Sequence, residues 1–185
     1  MTLPDTPPRR LPGRTVISVA GDEARSFLQR VIPADVTGLE PGECRPGALL
    51  TPQGKILTDF MIFAEDNTVW LDVPEAPAEG LVKRLTLFKL RAKAEIVLNT
   101  DLAAVWATAP FPGSAPDPRL GGRIHRGIAR ALEAGEDKPL DAYEFEAGVP
   151  AFGRDYGEAE VFPTDVNLDV YGGVGWKKGC FIGQE

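Results

Sequence analysis

The stretch from Lys55 to Phe63, Lys-Ile-Leu-Thr-Asp-Phe-Met-Ile-Phe, limits the fold more tightly than any other part of the chain. Along an extended strand, successive side chains point to opposite faces. Ile56, Phe60 and Ile62 then share one face, and Leu57, Met61 and Phe63 share the other. Both faces are apolar apart from Thr58 and Asp59, so the strand belongs in a sheet covered on both sides. A carboxylate in the middle of such a strand needs a partner, because an ionised acid is costly to bury alone. Asp59 is therefore a candidate functional residue. Thr51-Pro52-Gln53-Gly54 has proline second and glycine fourth, the chemistry of a type I turn. It predicts a hairpin with arms near 48–50 and 55–63.

The neighbouring segments fit around this strand. Val16, Ile17 and Val19 predict a short strand over 14–19, broken by Gly21. Ala24, Phe27, Leu28, Val31 and Ile32 recur at helical spacing, with Asp22 as the expected N-cap and Pro33 as the stop. A strand is expected over 68–73. A helix over 78–90 buries Leu81, Val82, Leu85 and Phe88. Further strands are expected at 94–98 and 102–107. Residues 110–122 carry four prolines and three glycines and read as a loop. A strand over 121–126 and a helix from Asp141 to a C-cap at Gly148 follow. This order is neither strict βα alternation nor all-β. It predicts an α+β fold with a mostly antiparallel sheet.

Composition removes several functional classes. The 20 basic and 27 acidic residues give a net charge of −7, so no basic footprint for nucleic acid exists over the whole chain. One histidine, His125, cannot build a multi-histidine metal centre, and no resident metal is predicted. No apolar run approaches the ~20 residues of a membrane span. Residues 1–13, with four prolines and no apolar run, read as a flexible tail and not as a leader sequence. A cytoplasmic location follows, with the mitochondrial matrix as the alternative.

The richest stretch is the last, Tyr171-Gly-Gly-Val-Gly-Trp-Lys-Lys-Gly-Cys-Phe-Ile-Gly-Gln-Glu185. Five of the twelve residues from Gly172 to Gly183 are glycine, so this loop can take backbone conformations closed to other residues. It matches neither a Walker A loop nor a dinucleotide fingerprint. Cys180 stands two residues after Lys178 and three after Lys177, and nearby ammonium groups favour a thiolate. Cys44, in Glu-Cys-Arg, has no such excess of positive charge. Two thiols cannot complete the four-cysteine shell of an ordinary iron–sulfur cluster. A cluster held here would need a partner, a second copy or small thiols.

Lys178-Gly179-Cys180-Phe181-Ile182-Gly183-Gln184-Glu185 resembles the signature of the YgfZ family. These are folate-binding proteins related to the glycine-cleavage T-protein, an aminomethyltransferase, and they assist iron–sulfur cluster assembly. Phe27-Leu28-Gln29 with Asp35-Val36, Leu50 to Lys55 with Asp59, Leu90-Arg91-Ala92-Lys93, Glu146-Ala147-Gly148 and Phe162-Pro163 match the family in the same order. The resemblance implies two interleaved mixed α/β domains around a folate cavity. One comprises 14–46 plus 141–185. The other is an inserted antiparallel, ferredoxin-like domain over 47–140. The usual C-terminal β-barrel is absent from this chain, which implies a fragment or a truncated gene model. The resemblance further implies tetrahydrofolate as cofactor, with Asp59 and Asp165 toward the pterin. Phe152, Trp176 and Phe181 would serve as walls, and Arg91, Lys93, Lys177 or Lys178 as the basic end. Asp59 paired to Arg91, and Asp165 as a turn residue, are the structural alternatives. The expected function is an accessory role in iron–sulfur assembly through Cys180, with assembly proteins or client enzymes as partners. Folate-dependent aminomethyl or other one-carbon transfer is the enzymatic alternative.

Overall fold

A computed structural model of the chain describes residues 7–184. In chain order the regular elements are β1 (Arg9–Arg10), β2 (Arg14–Ala20), α1 (Ala24–Val31), β3 (Cys44–Leu50), β4 (Ile56–Glu65), β5 (Thr68–Pro74), α2 (Glu75–Lys89), β6 (Glu95–Asn99), β7 (Leu102–Ala107), β8 (Ala115–Pro116), β9 (His125–Arg130) and α3 (Asp141–Ala147). Five strands build the larger sheet in the order β3-β4-β5-β2-β6, and four build a smaller one in the order β1-β7-β9-β8. Every pairing between these strands is antiparallel. The fold is thus α+β, as the element order predicts, and no barrel stands among the described residues.

Strand β4 is covered on both sides. Phe60 and Ile62 pack with Phe27, Leu28 and Val31 of α1 and with Leu81 and Leu85 of α2. Met61 and Phe63 pack the other way, with Cys44, Ala115 and Ile128 against the smaller sheet. One detail of the alternation differs. Leu57 packs with the helix side, and Ile56 joins Tyr156, Val166 and Leu168 on the other. The cause is an irregularity in the β3–β4 ladder between Leu49 and Leu50, which shifts the register at this end of β4.

Other boundaries move for local reasons. Helix α1 has Glu23 at its N-cap, not Asp22. The Glu23 carboxylate instead accepts from the backbone N–H of Lys93 at 2.7 Å. Helix α2 begins at Glu75, ahead of Pro77. A first-turn proline sits where helix N–H groups lack partners anyway, so it does not stop the helix. The strand expected at 121–126 lies at His125–Arg130, because Gly121 and Gly122 both take positive φ and turn the chain first. Gly148, at φ +67°, closes α3 as expected.

The two layers also divide the chain differently from the expected domains. Strand β2 pairs along its length with β5 and from Val16 to Ala20 with β6, so strands from 14–20 and from 44–99 share one sheet. The expected boundary between 14–46 and 47–140 runs through that sheet. The smaller sheet draws on 102–130 and on Arg9–Arg10, which pair with Trp106 and Val105. Leu11 is buried beside Trp106. The part of the expected tail at 9–11 is therefore fixed in place, and residues 1–6 lie outside the described residues.

Candidate functional site

Between the two sheets runs a seam of buried charge that sequence reading does not reveal. Asp72, in the middle of β5, is fully buried and accepts from Arg14 of β2 and from Arg126 of β9. Arg126 also donates to Asp117 at 3.4 Å. Asp117 accepts two bonds from the Arg119 guanidinium, at 3.0 and 2.7 Å. Arg119 lies 3.7 Å from Glu144, which accepts from Arg154 at 2.9 Å. Burial opposes ionisation of both aspartates, and the arginines outweigh it. Arg126 and Arg14 hold Asp72 below the ordinary carboxylate range, and Arg119 brings Asp117 down to about 2. Of the buried polar side-chain atoms described, only Nε of Arg126 lacks a partner. Asp72 sits in an apolar strand just as Asp59 does, and that was the one available sequence signal.

Asp59 lies on the Met61 face of β4, at the edge of this seam. Its carboxylate accepts from the hydroxyl of Tyr156. Burial, then the adjacent carboxylate, push the Tyr156 phenol well above its ordinary range, so it remains a donor. Thr58 is buried and donates to the backbone oxygen of Asp59, so one carboxylate stands here and not two. Arg14, Asp59, Arg119 and Tyr156 border a narrow cleft of about 20 Å³, room for a single water.

The signature loop forms a separate site. Lys178 reaches back to the end of α1, where its Nζ donates to the carbonyls of Ile32 and Ala34, the latter at 2.9 Å. These carbonyls follow the last turn and have no helical partners. Burial pulls the Lys178 amine down to about 8. Gly175 N–H donates to Pro33 O at 2.9 Å, a second tie to the same place. On the far side of the cysteine, Gly183 (φ +81°) lies on the Thr51–Gly54 turn. A Cβ there would come within 2.5 Å of Thr51 O. Phe181 packs near Tyr156 and Val166, and Ile182 on the helix-side core. Cys180 stands between these anchors with its side chain exposed. The hairpin turn and the loop enclose a pocket of about 220 Å³ walled by Phe162, Trp176 and Phe181.

The expected site residues thus fall into separate groups. Cys180, Gly179, Phe181, Gly183, Gln184, Trp176 and Lys178 share one loop, and Glu185 lies outside the described residues. Trp176 is 74% exposed and borders the loop pocket, not the Asp59 cleft. The Lys178 head faces α1, so it is an anchor and does not point toward the cleft. Arg91 follows α2 and lines a groove with Phe27 and Val31, on the opposite side of the sheet from Asp59. The sheet itself prevents the Asp59–Arg91 pair. Asp165 is exposed and accepts from Phe162 N–H at 2.8 Å, the turn role offered as its alternative. Cys44 is buried, with Sγ 3.4 Å from Pro116 O. Desolvation, then the charge of Asp117, push its thiol up to about 12.

No family model matches the chain. It is similar to the mitochondrial iron–sulfur cluster assembly factor IBA57 homologue of Chaetomium globosum, 32% identical over 95% of this chain and 51% of that protein. The homologue of Mycosarcoma maydis is 28% identical over 95% and 51%. The human mitochondrial IBA57 factor is 26% identical over 95% and 60%. The chain spans about half the length of the curated relatives it matches. These relatives are mitochondrial, the second compartment expected above, and no described helix is long and apolar enough to cross a membrane. Among solved structures, glycine cleavage system aminomethyltransferase T of Bartonella henselae superposes with a TM-score of 0.66 at 18% identity. The match covers 84% of this chain and 54% of that one. The chain is homologous to the IBA57 assembly factors and has the T-protein fold.

Proposed function

We propose that the chain acts as an accessory factor in iron–sulfur cluster assembly and that the Cys180 thiol is its working group. The observation that supports this most directly is the way the thiol is held. Lys178 and Gly175 fix one side of the loop and Gly183 fixes the other, leaving Cys180 in solvent where a partner can meet it. Two fixed flanks reduce the ordering cost when a partner docks. The relatives are named as assembly factors, and that role is carried here as the proposal. With one exposed thiol per described chain, any cluster ligated at Cys180 draws its remaining ligands from a partner or from small thiols. The work takes place where clusters are assembled, in a bacterial cytoplasm or a mitochondrial matrix.

Tetrahydrofolate belongs to the same proposal at the Asp59 cleft, and the geometry there is restrictive. A cleft of about 20 Å³ is far short of the ~300 Å³ or more of small-molecule sites, and Tyr156 occupies the Asp59 carboxylate. Binding there requires the cleft to open and the Tyr156 hydroxyl to leave the Asp59 carboxylate. The thiol role is independent of it. Aminomethyl transfer draws on shared fold alone, which is no guide to chemistry.

The test is maturation of an iron–sulfur enzyme in cells that depend on this gene. The unaltered gene and Cys44→Ala should restore the enzyme, and Cys180→Ser should not. Full rescue by Cys180→Ser ends the thiol role. Anaerobic calorimetry with tetrahydrofolate decides the folate part separately, since saturable micromolar binding is required.

A further inference from the structure

The helix side of the larger sheet carries a groove of about 460 Å³ between the ends of α1 and α2. Its floor includes Phe27, Val31 and Ile182. Phe88 and Leu90 overhang it, and Leu90 is 85% exposed. Leu90 also holds a backbone φ of +49°, a conformation that disfavours a leucine. Three cations border the groove, Arg30, Lys89 and Arg91, and none of them takes part in an ion pair among the described residues. The one acid on the rim, Glu23, is already bonded to the Lys93 backbone.

This local surplus of positive charge stands out on a chain whose net charge is −7. Unpaired cations around an exposed apolar patch complement a partner of opposite sign with an apolar anchor. We propose that the groove docks an acidic segment of a partner protein. Its apolar side chain rests on Phe88 and Leu90, and its carboxylates meet Arg30, Lys89 and Arg91. Ile182 lines the same groove, so a partner seated here meets the signature loop two residues from Cys180. The link to Cys180 rests on the assembly reading above, whereas the binding does not.

The test uses two fluorescein-labelled synthetic peptides of about 14 residues with leucine at i, i+3, i+4 and i+7. One carries glutamate at the remaining positions and the other carries lysine. Each is titrated with the chain and followed by anisotropy at low and at 0.5 M salt. A protein of net charge −7 should repel the acidic peptide and attract the basic one unless the groove governs binding. The expected result is saturable binding of the acidic peptide that salt weakens. Lys89→Glu/Arg91→Glu should raise its Kd about tenfold or more. Leu90→Ser should raise it several-fold, and circular dichroism should show both variants folded. Cys180→Ser should bind as the unaltered chain does, so loss of the thiol role leaves this result standing. Preference for the lysine peptide, or unchanged affinity in the charge-reversed variant, overturns the proposal. So does sedimentation showing a dimer that the charge-reversed variant loses, because a second copy then covers the groove.

Discussion

The seam between the sheets and the signature loop use charge in opposite ways. In the seam, Asp72, Asp117 and Arg126 are almost wholly buried, and each ion is satisfied by another ion. In the loop, Lys178 turns inward to backbone carbonyls, and the thiol of Cys180 is left in solvent. A buried network of this kind fixes how two layers meet, and removing one member leaves its partner charged and unsolvated. The loop has little buried area and is held by a few specific contacts. Much of the charge that looks functional is therefore architectural, and the lysine two residues before the exposed thiol is spent on backbone carbonyls.

The sharpest way to break the contrast is to open the seam. Asp72→Ala should cost about 3–5 kcal/mol in denaturant unfolding, because Arg126 and Arg14 lose their main partner. The same network sets the acid limit. Asp72 and Asp117 have depressed folded values, so their stabilisation is fully present above the ordinary carboxylate value near 3.8. It is lost as pH falls toward the Asp117 value of about 2. Unfolding midpoints should therefore fall steeply between about pH 4 and 2, and more gently in Asp72→Ala.

The two cysteines express the same contrast in kinetics. With Cys44 raised to about 12, roughly one in 10⁴ of its thiols is ionised at pH 8, and it is also buried. Iodoacetamide should label one thiol per folded chain, with Cys180 reacting at least about a hundredfold faster than Cys44. Mass spectrometry should find the second label only after unfolding. Equal labelling of the folded chain would mean that the Cys44 region opens readily. Smaller in effect, Gly183→Ala forces a Cβ against Thr51 O in a left-handed backbone and should destabilise loop docking by about 1–3 kcal/mol. Proteolysis between Trp176 and Gly183 should quicken while global unfolding barely changes. A large global loss would show that the loop is part of the core.

What the sequence made legible follows the range of each interaction. The α1 stripe, the Thr51–Gly54 turn and the Gly148 cap are local patterns, and the fold keeps them. The Asp72–Arg126 and Arg126–Asp117 contacts join residues 54 and 9 positions apart on different elements, and neither has a local signature. The grouping of the loop residues was legible from their adjacency. The role of Lys178 was not, because it depends on where α1 ends in space. Arg91 was misplaced for a geometric reason. Periodicity tells which residues share a face of β4, but not which face a later helix will cover.

The mildest expected effect is at Tyr156, and it bears on the cleft at the edge of the seam. Tyr156→Phe removes one hydrogen bond to Asp59 and keeps the ring packed against Phe152, so stability should fall by only about 1 kcal/mol. Its effect on ligand binding should be more telling than its effect on stability. If tetrahydrofolate uses the Asp59 carboxylate, the hydroxyl competes with it, and the phenylalanine variant should bind several-fold more tightly in calorimetry. Asp59→Asn should weaken the same binding. Tighter binding in the first variant and weaker in the second would make the cleft a ligand site that Tyr156 keeps shut. No folate binding in either would leave Asp59 and Tyr156 as one more paired contact at the edge of the seam.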